Sequence, residues 1–237
     1  MRGVDTDSIS QLEREAADVL ELMRSSRRER PFFIEFSGTP KAGKTTIINS
    51  LRLFLNRNGY RVSVLVERAS TAPIVNKLHV HFNVWTACQT LCQMLDSAQW
   101  PERNDIVILD RGLFDALAWM DWMYHRDELD EETMNKIIGF VTIDSWRNLV
   151  DMTFVMLTTP EESLHREYKD QVTKKPGRIM NAEAIDRFNQ SLERTREKFG
   201  KLFPRITEVS TSGKVEPDET GRQVVKASLD TIRTMLT

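Results

Sequence analysis

The sequence predicts an α/β protein built on a parallel sheet with helices on both faces. Three observations carry this. Short, unbroken apolar runs alternate with helical stretches, as buried parallel strands and their crossover helices do. A glycine-rich turn joins the first apolar run to a helix. No repeat, low-complexity tract or Pro/Gly/Ser linker divides the 237 residues, a length that suffices for one substantial core.

Taken in order, a polar helix is expected from about Ser8 to Arg30, with Ile9, Leu12, Ala16, Val19, Leu20 and Met23 at helical spacing. Its end carries Arg24, Arg27, Arg28 and Arg30 against Glu29, read as a solvated helix end, with a basic docking patch as the minor alternative. Residues 1–30 therefore form a helical extension to a domain spanning 31–237. Phe32-Phe33-Ile34-Glu35-Phe36 is a strand, and a helix follows from Thr45 to Asn58, stopped by Gly59. Arg61–Val66 is the second strand, a long helix spans about Ile74 to Ala98, and Asp105–Asp110 is the third strand. Helices over Leu113–Tyr124 and Glu131–Leu149 precede a fourth strand, Met152–Leu157. Thr159-Pro160-Glu161-Glu162 starts a helix, with a capping hydroxyl, proline in the first turn and acids against the dipole. A charged loop leads to a helix over Ala182–Phe199, a fifth strand over Arg205–Ser210 and a last helix over Glu219–Met235.

Composition narrows the function. Lys and Arg number 33 against 35 Asp and Glu, giving a net charge of −2, without the basic excess of a generic nucleic-acid binder. The hydrophobic fraction of 40% exceeds that of a disordered chain, yet no apolar run approaches the roughly 20 residues that span a bilayer. Two cysteines make no disulfide framework, and Met1–Ser10 lacks the apolar stretch of a secretory signal, so a cytoplasmic location is expected.

The sharpest signal is Gly38-Thr39-Pro40-Lys41-Ala42-Gly43-Lys44-Thr45, which fits G-x-x-x-x-G-K-[ST] between a strand and a helix. Glycines let the backbone wrap phosphate oxygens, with amides aimed inward at the positive end of the helix that continues through Thr46. Lys44 supplies a mobile cation, and the Thr45 hydroxyl is placed to ligate Mg²⁺. Asp110 ends the third strand beside this loop and is the second candidate Mg²⁺ ligand.

Asp110 is followed by Arg111 and the helix Leu113–Trp119. The fourth strand is followed by Pro160-Glu161-Glu162 and Arg166, then a basic segment, and Phe188 lies with Arg187, Arg194 and Arg196 in the next helix. In these features, from about Phe32 onward, the chain resembles the thymidylate kinase and deoxynucleoside kinase group of P-loop phosphotransferases. The resemblance implies a three-layer P-loop NTPase sandwich, a five-stranded parallel sheet in order 2-3-1-4-5, and a lid over about 165–180. It implies Mg-ATP as phosphate donor and Arg111 reaching the acceptor phosphate or the transferring group. Arg166, Lys174, Lys175 and Arg178 would close over the phosphates and exclude water. From His165 to Arg178 there are five Lys or Arg against two acids, which suits such a lid. The adenine contact would lie near Ser212-Gly213-Lys214.

Two residues after the second strand face the acceptor in this group. A hydroxyl acceptor benefits from a carboxylate base, which favours Glu67; a monophosphate needs a cation, which favours Arg68. Both are present, and the choice stays open. Phe82, Trp85 and Gln89 share one face of the long helix and could sandwich and read a base, or be plain core. The chain departs from thymidylate kinases at Glu67-Arg68-Ala69-Ser70 and Thr86-Ala87-Cys88, which leaves thymidylate in doubt as acceptor. Cys88 and Cys92 read as buried small residues, His79 and His81 as structural, and Trp119 and Trp122 as helix core.

The leading expectation is an ATP-dependent phosphotransferase acting on a nucleotide, nucleoside or similar small molecule, with neither nucleic acid nor membrane as partner and a homodimer left open. The alternative is a P-loop ATPase switch that regulates a protein partner, and a third reading is a degenerate kinase fold used as a binding module. Intact Lys44, Thr45 and Asp110 count against the third.

Overall fold

The computed structural model describes residues 6–26, 28–66, 71–169, 177, 179–213 and 216–237. Glu67, Arg68, Lys174, Lys175, Arg178 and Lys214 lie outside them. Five strands, β1 (Phe32–Gly38), β2 (Val62–Leu65), β3 (Ile106–Asp110), β4 (Val150–Leu157) and β5 (Ile206–Ser210), form one sheet in the order β2-β3-β1-β4-β5. Every neighbouring pair is parallel. The expected order is observed. β1 lies at the centre and is buried along its whole length.

Side chains of a strand alternate between faces, and β1 shows what each face needs. Phe32, Ile34 and Phe36 enter a core built with α1 (Thr6–Ser25), α2 (Lys44–Arg57) and α9 (Pro217–Leu236). Phe33 enters the opposite core, built with α3 (Val80–Ala98), α4 (Leu113–Tyr124), α5 (Glu131–Val141) and α8 (Ala182–Phe199). Glu35 shares Phe33's side of the strand. Two short helices, α6 (Asp144–Arg147) and α7 (Pro160–Lys169), flank β4 in sequence. No helix among the described residues is long and apolar enough to cross a membrane.

The N-terminal helix packs against α9. Leu12, Ala16, Val19 and Leu20 are buried in the first core, each larger side chain contributing about 1.5–3 kcal/mol of burial. The Tyr60 hydroxyl donates to Ala16 O at 2.6 Å, and Lys226 pairs with Glu15 at 2.8 Å.

Five expectations change. The first helix ends at Ser25, not Arg30. The arginines beyond it are not a solvated run: Arg28 and Arg30 both bind Asp151, which is 2% exposed and also accepts from Phe33 N at 2.9 Å. A buried carboxylate at the sheet's edge of entry needed cations, and the linker supplies them. The long helix starts at Val80, not Ile74: Asn76 turns the chain locally, accepting from Leu78 N, and His79 caps the helix by accepting from His81 N at 3.1 Å. The stretch expected as one helix over Glu131–Leu149 breaks at Thr142, whose hydroxyl donates back to Ile138 O. Cys88 is half-buried and Cys92 exposed, so they are not buried core residues.

Candidate active site

β1 delivers the chain to a loop over 38–43. Gly38 adopts φ 133, and a Cβ there would stand 2.0 Å from Met156 O, so only glycine permits this close passage over β4. Thr39 N donates to the same Met156 oxygen at 2.9 Å. Lys41 and Gly43 take left-handed φ values of 58 and 87, which curl the loop, and a Cβ on Gly43 would meet nothing within 4 Å. That open space lies at the N-terminus of α2, whose cap residue Gly43 makes no side-chain capping bond. Lys44 is buried with Nζ donating to Gly38 O and Thr39 O, each at 2.9 Å, so its cation is held inside the curl. Thr45 and Thr46 stand exposed on the first turn of α2. This is a cradle for an anionic polyphosphate.

The loop is pinned from outside. The Thr39 hydroxyl donates to Asn189 Oδ1 at 2.6 Å, Asn189 Nδ2 donates to Thr158 O at 3.0 Å, and Thr158 N donates to Thr39 Oγ1 at 3.3 Å. This closed ring ties α8 and the end of β4 to the loop. From α7, Ser163 Oγ donates to Pro40 O at 2.8 Å, and Glu167 pairs with Lys41 at 2.9 Å. Arg166 donates to Lys41 O at 3.1 Å and to Thr211 O at 2.5 Å, joining the loop to the turn after β5. Ala42 is buried beneath the loop, and Gly213, with φ 80, sits in the turn after Thr211.

Asp110 ends β3 in register with Phe36 of β1, which brings its carboxylate to the loop's edge of the sheet, 9% exposed. Arg111 follows in the left-handed region at φ 69, a strained turn fixed by its N–H donating to Phe36 O at 2.9 Å. Its guanidinium donates to both oxygens of Asp115, at 3.0 and 2.9 Å. Asp115 is 2% exposed and also accepts from Ser37 Oγ at 2.7 Å and Trp119 Nε1 at 3.0 Å. The Arg111 charge is therefore matched within the protein.

Asp110, Arg111, Gly112 and Asp115 line a cavity of about 460 Å³, a volume suited to a small molecule. Its walls are Val75, Lys77 and Leu78 before α3, then Phe82, Asn83, Thr86, Ala87 and Thr90 of α3. Ala116 and Trp119 of α4 close another side, with Gly177 and Ile179 from the described part of the basic segment. Of the three residues expected on the reading face of α3, Phe82 lines the cavity, and Trp85 and Gln89 do not. Steps of four residues from Phe82, to Thr86 and Thr90, rotate the lining stripe one way round the helix. The three-residue step to Trp85 rotates it the other way. Trp119, expected as core, is a wall of the cavity and stacks on Phe188 with ring centroids 4.2 Å apart. Arg187, Arg194 and Arg196 pair with Glu183, Asp121 and Glu208 and are not among the cavity's walls.

Three residues of this region carry no motif. Glu35 is fully buried behind Gly112, its carboxylate accepting from Phe114 N at 3.1 Å and Asp115 N at 2.9 Å. Burial pushes its pKa up to about 7, opposed by those amide bonds and helped by the neighbouring Asp115 charge. A lone acid inside the apolar run Phe32–Phe36 was its only signal. Asp115, four residues after Arg111, had the spacing of a helical ion pair. Asn189 had none.

No family model matches the sequence, and neither does any curated protein. Solved structures do match. Deoxyadenosine kinase from M. mycoides with bound dCTP aligns at 17% identity and a TM-score of 0.59, covering 84% of this chain and 99% of that one. The same enzyme with dCMP and a flexible dCDP bound gives 0.62 at 17% identity, over the same shares of the two chains. With dATP bound it gives 0.59 at 16%, covering 84% of this chain and all of that one. At this identity the likeness establishes the fold alone: a three-layer αβα sandwich around a five-stranded parallel sheet.

Proposed function

We propose that the protein is a nucleoside kinase-like phosphotransferase that moves the γ-phosphate of Mg-ATP to a hydroxyl of a nucleoside or similar neutral small molecule. One observation carries this. A phosphate cradle and a separate cavity for a small molecule share an edge, and the Asp110–Asp115 turn stands between them. A switch that only binds and hydrolyses its nucleotide has no use for the second cavity. The charged part of its lining bears on the acceptor class. Two carboxylates, Asp110 and Asp115, line it, and the nearby guanidinium is already bound to one of them. Beside these carboxylates a monophosphate would be repelled, with Lys77 elsewhere on the wall as a further cation, whereas hydroxyls can donate to carboxylates. The fold's likeness to deoxyadenosine kinases points the same way.

The residues present fit a bound magnesium triphosphate. The curled amides over 38–43 and Lys44 would hold the phosphates, and Thr45 and Asp110 would hold the metal. Among the described residues no cluster of three or more His, Cys, Asp or Glu could hold a metal by itself, so phosphate oxygens would complete the set. Bound there, Mg²⁺ supplies charge neutralisation of the β- and γ-phosphates. Arg111, released in part from Asp115, would stabilise charge on the transferring group, and Arg166, anchored on the loop, would extend that cationic rim. Phe82 and Trp119 would position the acceptor between α3 and α4. A hydroxyl acceptor calls for a base, and the reading assigns it to Glu67 rather than Arg68, two residues beyond the end of β2 beside β3. The basic segment, including Arg178, would close over the donor, with Gly213 near its base.

The test is ADP release from Mg-ATP across deoxynucleosides, ribonucleosides, their monophosphates and sugars. Stimulation by a nucleoside well above the acceptor-free rate is expected. Equal turnover without any acceptor, or stimulation only by a protein, would transfer the case to an ATPase switch.

A further inference from the structure

Glu35 sits where a carboxyl is costly. β1 is the central strand, and the residues beside Glu35 in the sheet are Leu109 of β3 and Thr153 of β4. Its face of the sheet is otherwise lined by apolar residues such as Phe33, Val107 and Leu109. A leucine there would bury more easily, so the carboxyl needs partners, and both come from α4: the amides of Phe114 and Asp115. These are orphan donors of the helix's first turn, and the helix's own cap residue, Gly112, has no side chain to satisfy them. A Cβ on Gly112 would stand 2.6 Å from Glu35 Cδ and 2.7 Å from Oε2, so the glycine leaves the space through which Glu35 reaches the helix. The cap thus comes from beneath the helix, and any side chain at position 112 would be driven into the Glu35 carboxylate that supplies it.

The two amides so fixed belong to the turn that carries the acceptor end of the cavity. Asp115 holds Arg111, and Trp119 donates to Asp115. We propose that Glu35 is a positioning residue of the acceptor site: by capping α4 from the sheet it sets the placement of Asp115, and through Asp115 the aim of Arg111. This rests on the acceptor reading above, but the mechanical coupling from Glu35 to Trp119 does not.

The coupling depends on ionisation. An ionised carboxylate accepts from both amides; a protonated one turns an O–H toward a donor and loses a bond. Charged groups around Glu35 are few. β3 and β4 present Leu109 and Thr153, α4 presents Asp115 with Arg111 bound to it, and α8 behind α4 presents Ala184, Phe188 and Leu192. Asp110 lies on the other face of β3, in register with Phe36. With its pKa near 7, the cap loosens as pH falls through that value and tightens as pH rises.

Trp119 fluorescence, isolated as the difference between the intact protein and Trp119→Phe, reports on the turn with no ligand present. Followed between about pH 5.5 and 8.5, it should show a transition near 7 that is absent in the Glu35→Gln background. In transfer assays, kcat/KM for the nucleoside acceptor should rise through the same range. In Glu35→Gln it should be about tenfold lower and flat, with Mg-ATP affinity by calorimetry within about twofold of the parent. A transition that persists in Glu35→Gln, or an equal loss of ATP affinity, would overturn the proposal. If no nucleoside is phosphorylated yet the transition depends on Glu35, the acceptor reading fails and the coupling stands. If nucleosides are phosphorylated and the transition ignores Glu35, the coupling alone fails. Should Glu35→Gln not fold, Glu35→Asp keeps the charge but shortens the reach. It should still weaken acceptor kcat/KM while retaining a titration, and unchanged acceptor kinetics in that variant would end the idea.

Discussion

Asp115→Asn separates a neutral from an anionic acceptor, and its cost can be worked from the hydrogen bonds. Asp115 accepts from Ser37 Oγ, from Trp119 Nε1 and twice from Arg111. An asparagine offers one oxygen, which can keep the Ser37 bond and one Arg111 bond. Its amide nitrogen then faces Trp119 Nε1 and the other Arg111 contact, donor against donor. The ion pair with Asp115 is lost as well, which takes a doubly bonded counter-charge from the half-buried Arg111. Removing one partner of a buried pair costs about 3–5 kcal/mol, and the low end, about 3 kcal/mol, applies because the Arg111 side chain keeps 17% of its exposure. With a urea slope of about 2–3 kcal/mol/M, the unfolding midpoint should fall by about 1 M. The same change frees the guanidinium for an anion. Relative kcat/KM should therefore move toward nucleoside monophosphates and away from nucleosides, by about tenfold for each 1.4 kcal/mol of gained charge pairing. The assays are urea unfolding by tryptophan fluorescence and coupled ADP release with matched nucleoside and monophosphate pairs. A midpoint within about 0.2 M of the parent, or an unchanged preference ratio, would refute the account of Arg111 as a guanidinium neutralised by Asp115.

Other expectations follow from the same contacts. Lys44→Ala should abolish most acceptor-dependent ADP release while the protein stays folded, checked by initial rates and circular dichroism. Gly38→Ala should prevent Mg-ATP binding in calorimetry, because the new Cβ would be driven into Met156 O and the backbone is left-handed there. Asn189→Ala breaks the ring on Thr39 and should raise KM for ATP more than KM for the acceptor; the reverse order would show that α8 serves the other substrate. For stability, Glu35 is raised from 4.5 to about 7 on folding, so the folded state binds the extra proton between those values. Stability is then fullest below pH 4.5 as far as this group is concerned and is lost as pH rises through 7. The total is about 3 kcal/mol, read as a falling urea midpoint that Glu35→Gln flattens.

Much of this was legible in the sequence because it is written in local pattern. The strand order followed once the Gly38–Thr45 turn and Asp110-Arg111 were recognised; the helices over Leu113–Tyr124 and Ala182–Phe199 match to the residue, the second with Asn181 as a local cap. What escaped was set by tertiary partners. Arg28 and Arg30 read as solvated charge because Asp151, more than a hundred residues away, is invisible to a local pattern. Glu35 looked like an interruption in a strand, since its partners are backbone amides, which no residue type announces. Trp85 and Gln89 were placed on the reading face by a three-residue and then a four-residue step, yet α3 turns its Phe82–Thr86–Thr90 side to the cavity, and that rotation is decided by packing on α4. Trp119 looked like core because an aromatic at helical spacing says nothing about whether the neighbouring space is filled.

The distribution of charge across the site supports one direction of chemistry. On the donor side stand Lys44 inside the loop and Arg166 on its rim, with Lys41 balanced by Glu167. On the proposed acceptor side stand Asp110 and Asp115, with Glu35 behind them, against the Arg111 guanidinium and Lys77 of the cavity wall. An anionic tail would be drawn toward the loop rather than toward the carboxylates, which would orient a bound triphosphate with its last phosphate at the boundary. This suits the proposed neutral acceptor, from whose hydroxyls the carboxylates could accept. In the proposed transfer, negative charge would spread over the equatorial oxygens of the phosphoryl group, and Arg111 would be the cation nearest the crossing. Its strained backbone and double contact to Asp115 hold it at the site before substrates arrive, so the reorganisation needed would be limited to loosening part of that contact.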